Sequence, residues 1–296
     1  MNTTPKLKLD FTPQLPTPAS TTPEQESAIT ALHAAIPELV KELDTATEEE
    51  RRILAGWAGQ PVIVRQFLRA TMWDVAAAKK RLAATMKWRN EYKPDQITAE
   101  EVEPEAVTGK QFINGFDKTG RPQLFLVPRN ENTKTYDRQI RFSVYMLERC
   151  IKLMPEGVEK VAVIIDYENL SLFNATPLSV SMKYMAVLSN HYPERLGVAV
   201  MVNASWYFSG FFKLLSPFLD PVTKSKLQFT KVNRSASAVT SDTASSKSEK
   251  PATEEGTGGW TNILDISNAD QLPIEFGGSY PFTYKHDVFW AEINAI

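Results

Sequence analysis

Cysteine is almost missing from this 296-residue chain. Cys150 is the only one, so no internal disulfide framework can form, and a reducing compartment fits. Histidine is nearly as scarce. His33, His191 and His286 have no metal-ligand spacing, and each is expected to be structural. No uninterrupted apolar run approaches the roughly 20 residues of a membrane span. The opening stretch MNTTPKLKLDFTPQLPTPAS lacks the apolar core of a secretory signal. Also missing are a Gly-x-Ser-x-Gly elbow, a phosphate-binding P-loop and a Gly-x-Gly-x-x-Gly fingerprint. An excess of either charge is lacking too. The formal net charge is −2, so no global field draws the chain to nucleic acid or anionic membranes, and any basic patch must be local.

What is present is ordinary for a globular protein: 43% apolar and 23% charged residues, at a length that buries a large core in one or two domains. Residues 1–24 are rich in Thr and Pro with few large apolar side chains. They are expected to form a flexible tail, because little apolar burial is available to offset ordering entropy. Residues 233–259 are dominated by Ser, Thr, Ala, Glu and Gly and read as a disordered insertion, a solvent loop or a phosphorylation segment.

Residues 25–105 read as helices only. Asp74 is placed to cap a helix whose apolar face includes Val75, Ala78, Leu82 and Met86, with Pro94 ending it. Lys79, Lys80, Arg81, Lys87 and Arg89 share this segment, as a solvated face or a binding patch. From Lys110 the period changes. Lys110–Phe116 and Gln123–Val127 read as strands joined by the turn Asp117-Lys118-Thr119-Gly120. A long helix follows, carrying Ile140, Val144, Leu147, Ile151 and Met154. The short apolar runs Val161–Ile165 and Val198–Val202 read as strands covered on both faces. Strands alternating with helices predict an α/β layer after the helical module.

The run from Trp206 to Leu219 is apolar nearly all round. It reads either as a buried core helix or as a mobile helix that covers an apolar cavity and dips into a membrane interface. Asp220-Pro221-Val222-Thr223-Lys224-Ser225-Lys226 follows. Its hydroxyls and ammonium groups suit a phosphate, and the same residues suit a plain helix start.

His191-Tyr192-Pro193-Glu194-Arg195-Leu196-Gly197, Asn203 and Pro217-Phe218-Leu219-Asp220-Pro221-Val222-Thr223 together resemble the signature of CRAL-TRIO lipid-binding proteins. Phe67-Leu68-Arg69-Ala70 with Trp88-Arg89 is similar to the helical module that precedes that domain. The resemblance covers about residues 50–290. Gly109-Lys110-Gln111, Asn132-Thr133-Lys134-Thr135, Met146-Leu147-Glu148-Arg149 and Tyr284-Lys285-His286-Asp287-Val288-Phe289-Trp290 resemble the fungal phosphatidylinositol-transfer proteins of the pleiotropic drug-resistance branch.

The resemblance implies a helical module (residues 25–105) and a CRAL-TRIO domain (residues 106–296), whose mostly parallel sheet floors an apolar lipid pocket. It implies a gate helix carrying Phe208, Phe211, Phe212, Leu215 and Phe218, and a phosphatidylinositol headgroup site at Glu194, Thr223 and Lys226. The implied task is exchange of phosphatidylinositol between membranes by a monomer in the cytoplasm, without cofactor, metal or catalysis. Such a carrier would touch the endoplasmic reticulum, lipid droplets or the cell periphery only peripherally.

This chain departs from its resemblance in two places. Thr71 and Met72 stand where relatives carry a basic pair. Val161 and Val163 stand where phosphatidylcholine-binding members carry hydroxyls, and a valine gives a buried phosphate no hydrogen bond. Phosphatidylcholine is therefore disfavoured as a second ligand, and the resemblance to the drug-resistance branch, which similarly lacks those hydroxyls, implies a sterol as the alternative. The alternatives are a lipid-sensing adaptor that presents phosphatidylinositol to a lipid kinase, and an α/β enzyme.

Overall fold

The structure is a computed structural model and describes residues 2–15, 17, 20–169, 177–204, 216–219, 221–232 and 259–296. It divides into two compact units, one of residues 16–97 with 179–195, the other of residues 1–15, 98–178 and 196–296. The helical unit thus takes in a later segment as well as the expected N-terminal module.

In the helical unit, α1 (Pro23–Lys41), α2 (Glu48–Ala58), α3 (Pro61–Arg69) and α4 (Val75–Tyr92) enclose an apolar core. Leu32, Ala58, Leu68, Ala78 and Leu82 are fully buried there. Thr22 and Thr47 start α1 and α2 with reciprocal capping boxes. Asp74 caps α4 through the Ala77 N–H at 3.0 Å, as its position predicts, and a left-handed Lys93 ends that helix before Pro94. The basic residues of α4 separate. Arg89 lies 4.6 Å from the centre of the Trp57 ring and Arg81 bonds the Ser189 carbonyl, while Lys80 and Lys87 stay exposed.

The turn between α3 and α4 is unusual. Met72 and Trp73 both adopt left-handed backbone, at φ 52° and 67°, which costs roughly 1–2 kcal/mol for each L-residue. Local hydrogen bonds hold it. The Thr71 hydroxyl lies 3.0 Å from the Phe67 carbonyl and 3.2 Å from that of Asp74, and the Trp73 N–H donates to Leu68 O at 2.7 Å.

The second unit holds α5 (Ala99–Ala106), β1 (Gln111–Phe116), β2 (Pro122–Leu126), α6 (Tyr136–Leu153) and β3 (Val161–Asp166). After α7 (Leu178–His191) come β4 (Leu196–Val202), α8 (Pro221–Ser225), β5 (Leu227–Thr230), α9 (Ile263–Ile266) and α10 (His286–Asn294). The sheet order is β1-β2-β3-β4-β5. Only β1–β2 is antiparallel, because the Asp117–Gly120 turn joins them directly; the other pairs are parallel. Gly120, at φ 79°, supplies the left-handed position of that turn.

Phe112, Phe125 and Phe276 cluster on one flank, and Phe142, Met146 and Cys150 of α6 are fully buried. Burial pushes the Cys150 thiol well above its ordinary range. Glu105 is also buried. Burial alone would raise its carboxyl, but bonds from Lys110, Thr133 and Arg138 outweigh that and hold it low.

The structure differs from the sequence expectation along residues 2–15. Instead of a flexible tail, this segment is tied down by backbone and polar contacts, which compensate for its few apolar side chains. The Asn2 N–H donates to Pro281 O at 3.0 Å, Gly115 N to Lys6 O at 2.8 Å and Gln14 N to Lys118 O at 2.7 Å. Lys6 pairs with Asp10 at 2.8 Å, and Asp10 accepts from Gln271 at 2.7 Å. Residues 233–258 of the expected insertion lie outside the described residues.

His191 has a structural setting in the helical unit. Its ring stacks on Trp88 at 4.3 Å, and Trp88 stacks in turn on Tyr92. Its Nδ1 lies 3.2 Å from the Thr85 hydroxyl. Burial, followed by repulsion from Arg81 and Arg89, lowers its pKa to about 4. In the unfolded chain it titrates near 6.5. The native state therefore keeps it neutral, and stability present above pH 6.5 is lost as pH falls towards 4. With allowance for solvent screening the loss is about 1–2 kcal/mol. Melting temperature followed from pH 7 to pH 4.5 should fall more steeply in the wild type than in His191→Phe; equal slopes would contradict this assignment.

Candidate functional site

Three strand starts meet at one end of the sheet. Arg121 precedes β2, Gly197 is the second residue of β4, and Lys226 precedes β5. With Gln14, Lys118, Thr119, Ser225, Gln228 and Asp265 they line a cleft of about 320 Å³. Fully buried Asp117 organises the β1–β2 turn at its edge. Its carboxylate accepts from the N–H of Thr119 at 2.9 Å, from the N–H of Arg121 at 3.0 Å and from the Thr119 hydroxyl at 2.8 Å. It also holds the Arg121 guanidinium. Gly197 leaves room for that guanidinium, since a Cβ there would fall 2.4 Å from Arg121 Nη1. Lys118 Nζ donates to Leu264 O at 2.6 Å. Lys118, Arg121, Lys226 and Asp265 line the cleft, and the Arg121 charge is paired with buried Asp117. That balance, with neighbouring hydroxyls and amides, suits an anion rich in acceptor oxygens.

The same sheet also carries an apolar face. Val163 and Ile165 of β3 pair in register with Ala199 and Met201 of β4, which pair with Leu227 and Phe229 of β5. These side chains share one face of the sheet. Ala199, Met201, Leu227 and Phe229 are buried, whereas Val163, Ile165, Tyr167, Leu196, Leu219 and Trp260 are only partly so. Here β3 departs from the expectation of a strand covered on both faces. Ala162 and Ile164, pointing the other way, are fully buried, and the alternation leaves their neighbours half-covered. The strand residues that line the cleft, Val198 and Gln228, alternate with Ala199, Leu227 and Phe229 and so belong to the opposite side of the sheet. In the helical unit, α7 is likewise incompletely covered. Val180 is buried, but Met182, Tyr184, Met185, Val187 and Leu188 are half-exposed.

Among the described residues no group of three or more His, Cys, Asp or Glu side chains could hold a metal ion. Nor is any described helix long and apolar enough to cross a membrane. Residues 106–278 match the CRAL/TRIO domain. The chain belongs to the CRAL-TRIO family. It is 35% identical over 95% of its length to a CRAL-TRIO domain-containing protein of Schizosaccharomyces pombe, of which it spans a quarter. It is 32% identical over 87% of its length to the phosphatidylinositol transfer protein PDR17 of Saccharomyces cerevisiae, spanning 69% of that protein. The solved structure of Sfh5 shares the fold, with a TM-score of 0.56 at 15% identity, covering 72% of this chain and 82% of Sfh5.

Within this CRAL-TRIO chain the expected site residues are placed unevenly. Lys226 lines the cleft. Thr223 sits one turn earlier on α8, half-buried, and its carbonyl accepts the Lys226 N–H at 3.1 Å. Glu194 belongs to the helical unit and has left-handed backbone at φ 60°. Val163 is half-buried on the apolar face, but Val161 is only 1% exposed. The gate residues Phe208, Phe211, Phe212 and Leu215 lie outside the described residues, as does the side chain of Phe218.

Sequence reasoning missed Lys118, Arg121 and Gln14. The turn Asp117-Lys118-Thr119-Gly120 was legible as a turn, but nothing local places it beside residues 197 and 226. Asn203, part of the family signature, has a positional role. At φ 53° it donates from Nδ2 to Val232 O at 3.2 Å and accepts from Val232 N at 2.8 Å, pinning the chain beyond β5.

Gly197→Ala tests the close approach. The added methyl must displace Arg121 and weaken its bond to buried Asp117, a loss of about 1–3 kcal/mol measurable by urea unfolding. An unchanged midpoint would mean that the guanidinium does not lie against β4.

Proposed function

We propose that this protein is a carrier that exchanges phosphatidylinositol between membranes, holding the headgroup phosphate at the Lys226 cleft and the acyl chains along the half-covered face of the sheet. The observation that carries this reading is the incompletely covered apolar face of β3, β4 and β5, in a sheet whose strand starts also carry a cleft with basic residues. Lys226 offsets the phosphate charge, Thr223 donates a hydrogen bond, and Glu194 accepts from inositol hydroxyls. The names of PDR17 and of other relatives, among them the phosphatidylinositol transfer protein CSR1 of Eremothecium gossypii, support the same ligand.

The energetics favour a carrier. Each methylene exposed to water costs about 0.8 kcal/mol, so a diacyl lipid leaves a bilayer unaided only slowly. A protein that opens an apolar lining against the membrane exchanges one oily environment for another, and headgroup contacts then decide which lipid is taken. No group transfer is required, and the reading assigns no catalytic residue. The half-buried Val163 favours sterol over phosphatidylcholine as a second ligand, because its wall offers no hydrogen bond to a choline lipid's phosphate.

Lys226→Ala should lower phosphatidylinositol transfer between vesicles by about tenfold or more, the value of a lost charge-assisted hydrogen bond. Glu194→Ala should act in the same direction, with circular dichroism unchanged in both. Wild-type transfer by both variants would remove the headgroup assignment.

A further inference from the structure

Met72 is the most exposed large apolar side chain among the described residues, at 91%; Val222 and Ile274 follow at 56%. It does not hang from a slack loop. Its left-handed backbone and that of Trp73 are fixed by the Thr71 hydroxyl and the Trp73 N–H. Trp73 packs against the helical core, so the turn holds Met72 outward. A strained backbone that presents an apolar side chain to water gains nothing in the free protein, and strain of this kind concentrates at functional positions.

The surface continues along α4. Ala76, Ala77, Lys80, Ala84 and Lys87 are all exposed, and their steps of three and four place them on one face. The acids from Met72 to the end of α4 are Asp74, whose carboxylate is engaged in capping the helix, and Glu91 in its last turn. Arg81 and Arg89 are turned inward, so the cations exposed on this face are Lys80 and Lys87, with the exposed carboxylate of Glu91 one turn beyond Lys87. An apolar tip followed by a small-residue, basic helix face is complementary to an anionic lipid surface. The thioether enters the acyl boundary, the alanines permit close approach, and the ammonium groups meet lipid phosphates.

We infer that Met72 and the Lys80–Lys87 face of α4 form a docking surface for an anionic phospholipid bilayer. The inference rests on the carrier reading only in that a carrier must touch a membrane; this surface is the point of contact on the helical unit.

Cys150 is fully buried, so a thiol-reactive, environment-sensitive dye added to folded Met72→Cys protein labels position 72 alone. With vesicles of phosphatidylcholine and phosphatidylserine, the dye emission should shift to the blue and rise several-fold. Phosphatidylcholine alone should produce less. Lys80→Glu with Lys87→Glu should weaken vesicle partitioning roughly tenfold or more, since each basic residue near the surface contributes about 1 kcal/mol. Protein that sediments with the vesicles while the dye keeps its aqueous spectrum would overturn the proposal, as would undiminished partitioning of the double variant. Extracting bound lipid from the same samples separates this test from the carrier reading. A lipid-loaded protein whose dye stays in water refutes the surface and leaves the carrier intact. A dye that enters the bilayer on a protein devoid of lipid supports the surface and refutes the carrier.

Discussion

Successive residues of β3 face opposite sides of the sheet, and on that alternation the rest of the structure depends. Ala162 and Ile164 fill a closed core, while Val163 and Ile165 look onto a face that is only half covered. Apolar surface left in this condition is a standing cost in water. A fold keeps it when something else fills the space, and two acyl chains or a sterol ring have the required chemistry. Ala199, Met201, Leu227 and Phe229 are buried on the same face.

The polar end of the site is built with different means. Buried Asp117 collects backbone and hydroxyl donors of the β1–β2 turn and fixes Arg121, and a side-chain-free Gly197 admits the guanidinium. The N-terminal segment adds Gln14, anchored to Lys118. None of these residues requires a bound lipid to hold its position. On the proposed carrier reading, such a pre-arranged cleft would let headgroup contacts, rather than the much larger acyl term, set the choice of lipid.

Much of this was legible in the sequence. The β1–β2 hairpin, the Asp74 cap, α6 and the two apolar strands announced themselves because their signals are local: a turn sequence, a capping side chain, a change of period. The cleft was only partly legible. Lys226 came from a family signature, whereas Lys118 and Arg121 reach it through a sheet register that no local pattern encodes. Residues 2–15 have too few apolar side chains for order to show in the sequence, and backbone hydrogen bonds to Pro281, Gly115 and Lys118 hold the segment instead. The half-covered face of β3 was implied by the family resemblance but not by the local pattern. A continuous run of Val and Ile looks the same whether a helix or a ligand covers it.

The most direct test is to purify the protein, record its mass under native conditions, and identify whatever lipid is extracted from it. The account predicts a mass increment of one lipid per chain, with an inositol phospholipid among the extracted species. Protein that emerges empty, and remains empty after incubation with vesicles containing phosphatidylinositol, would contradict it.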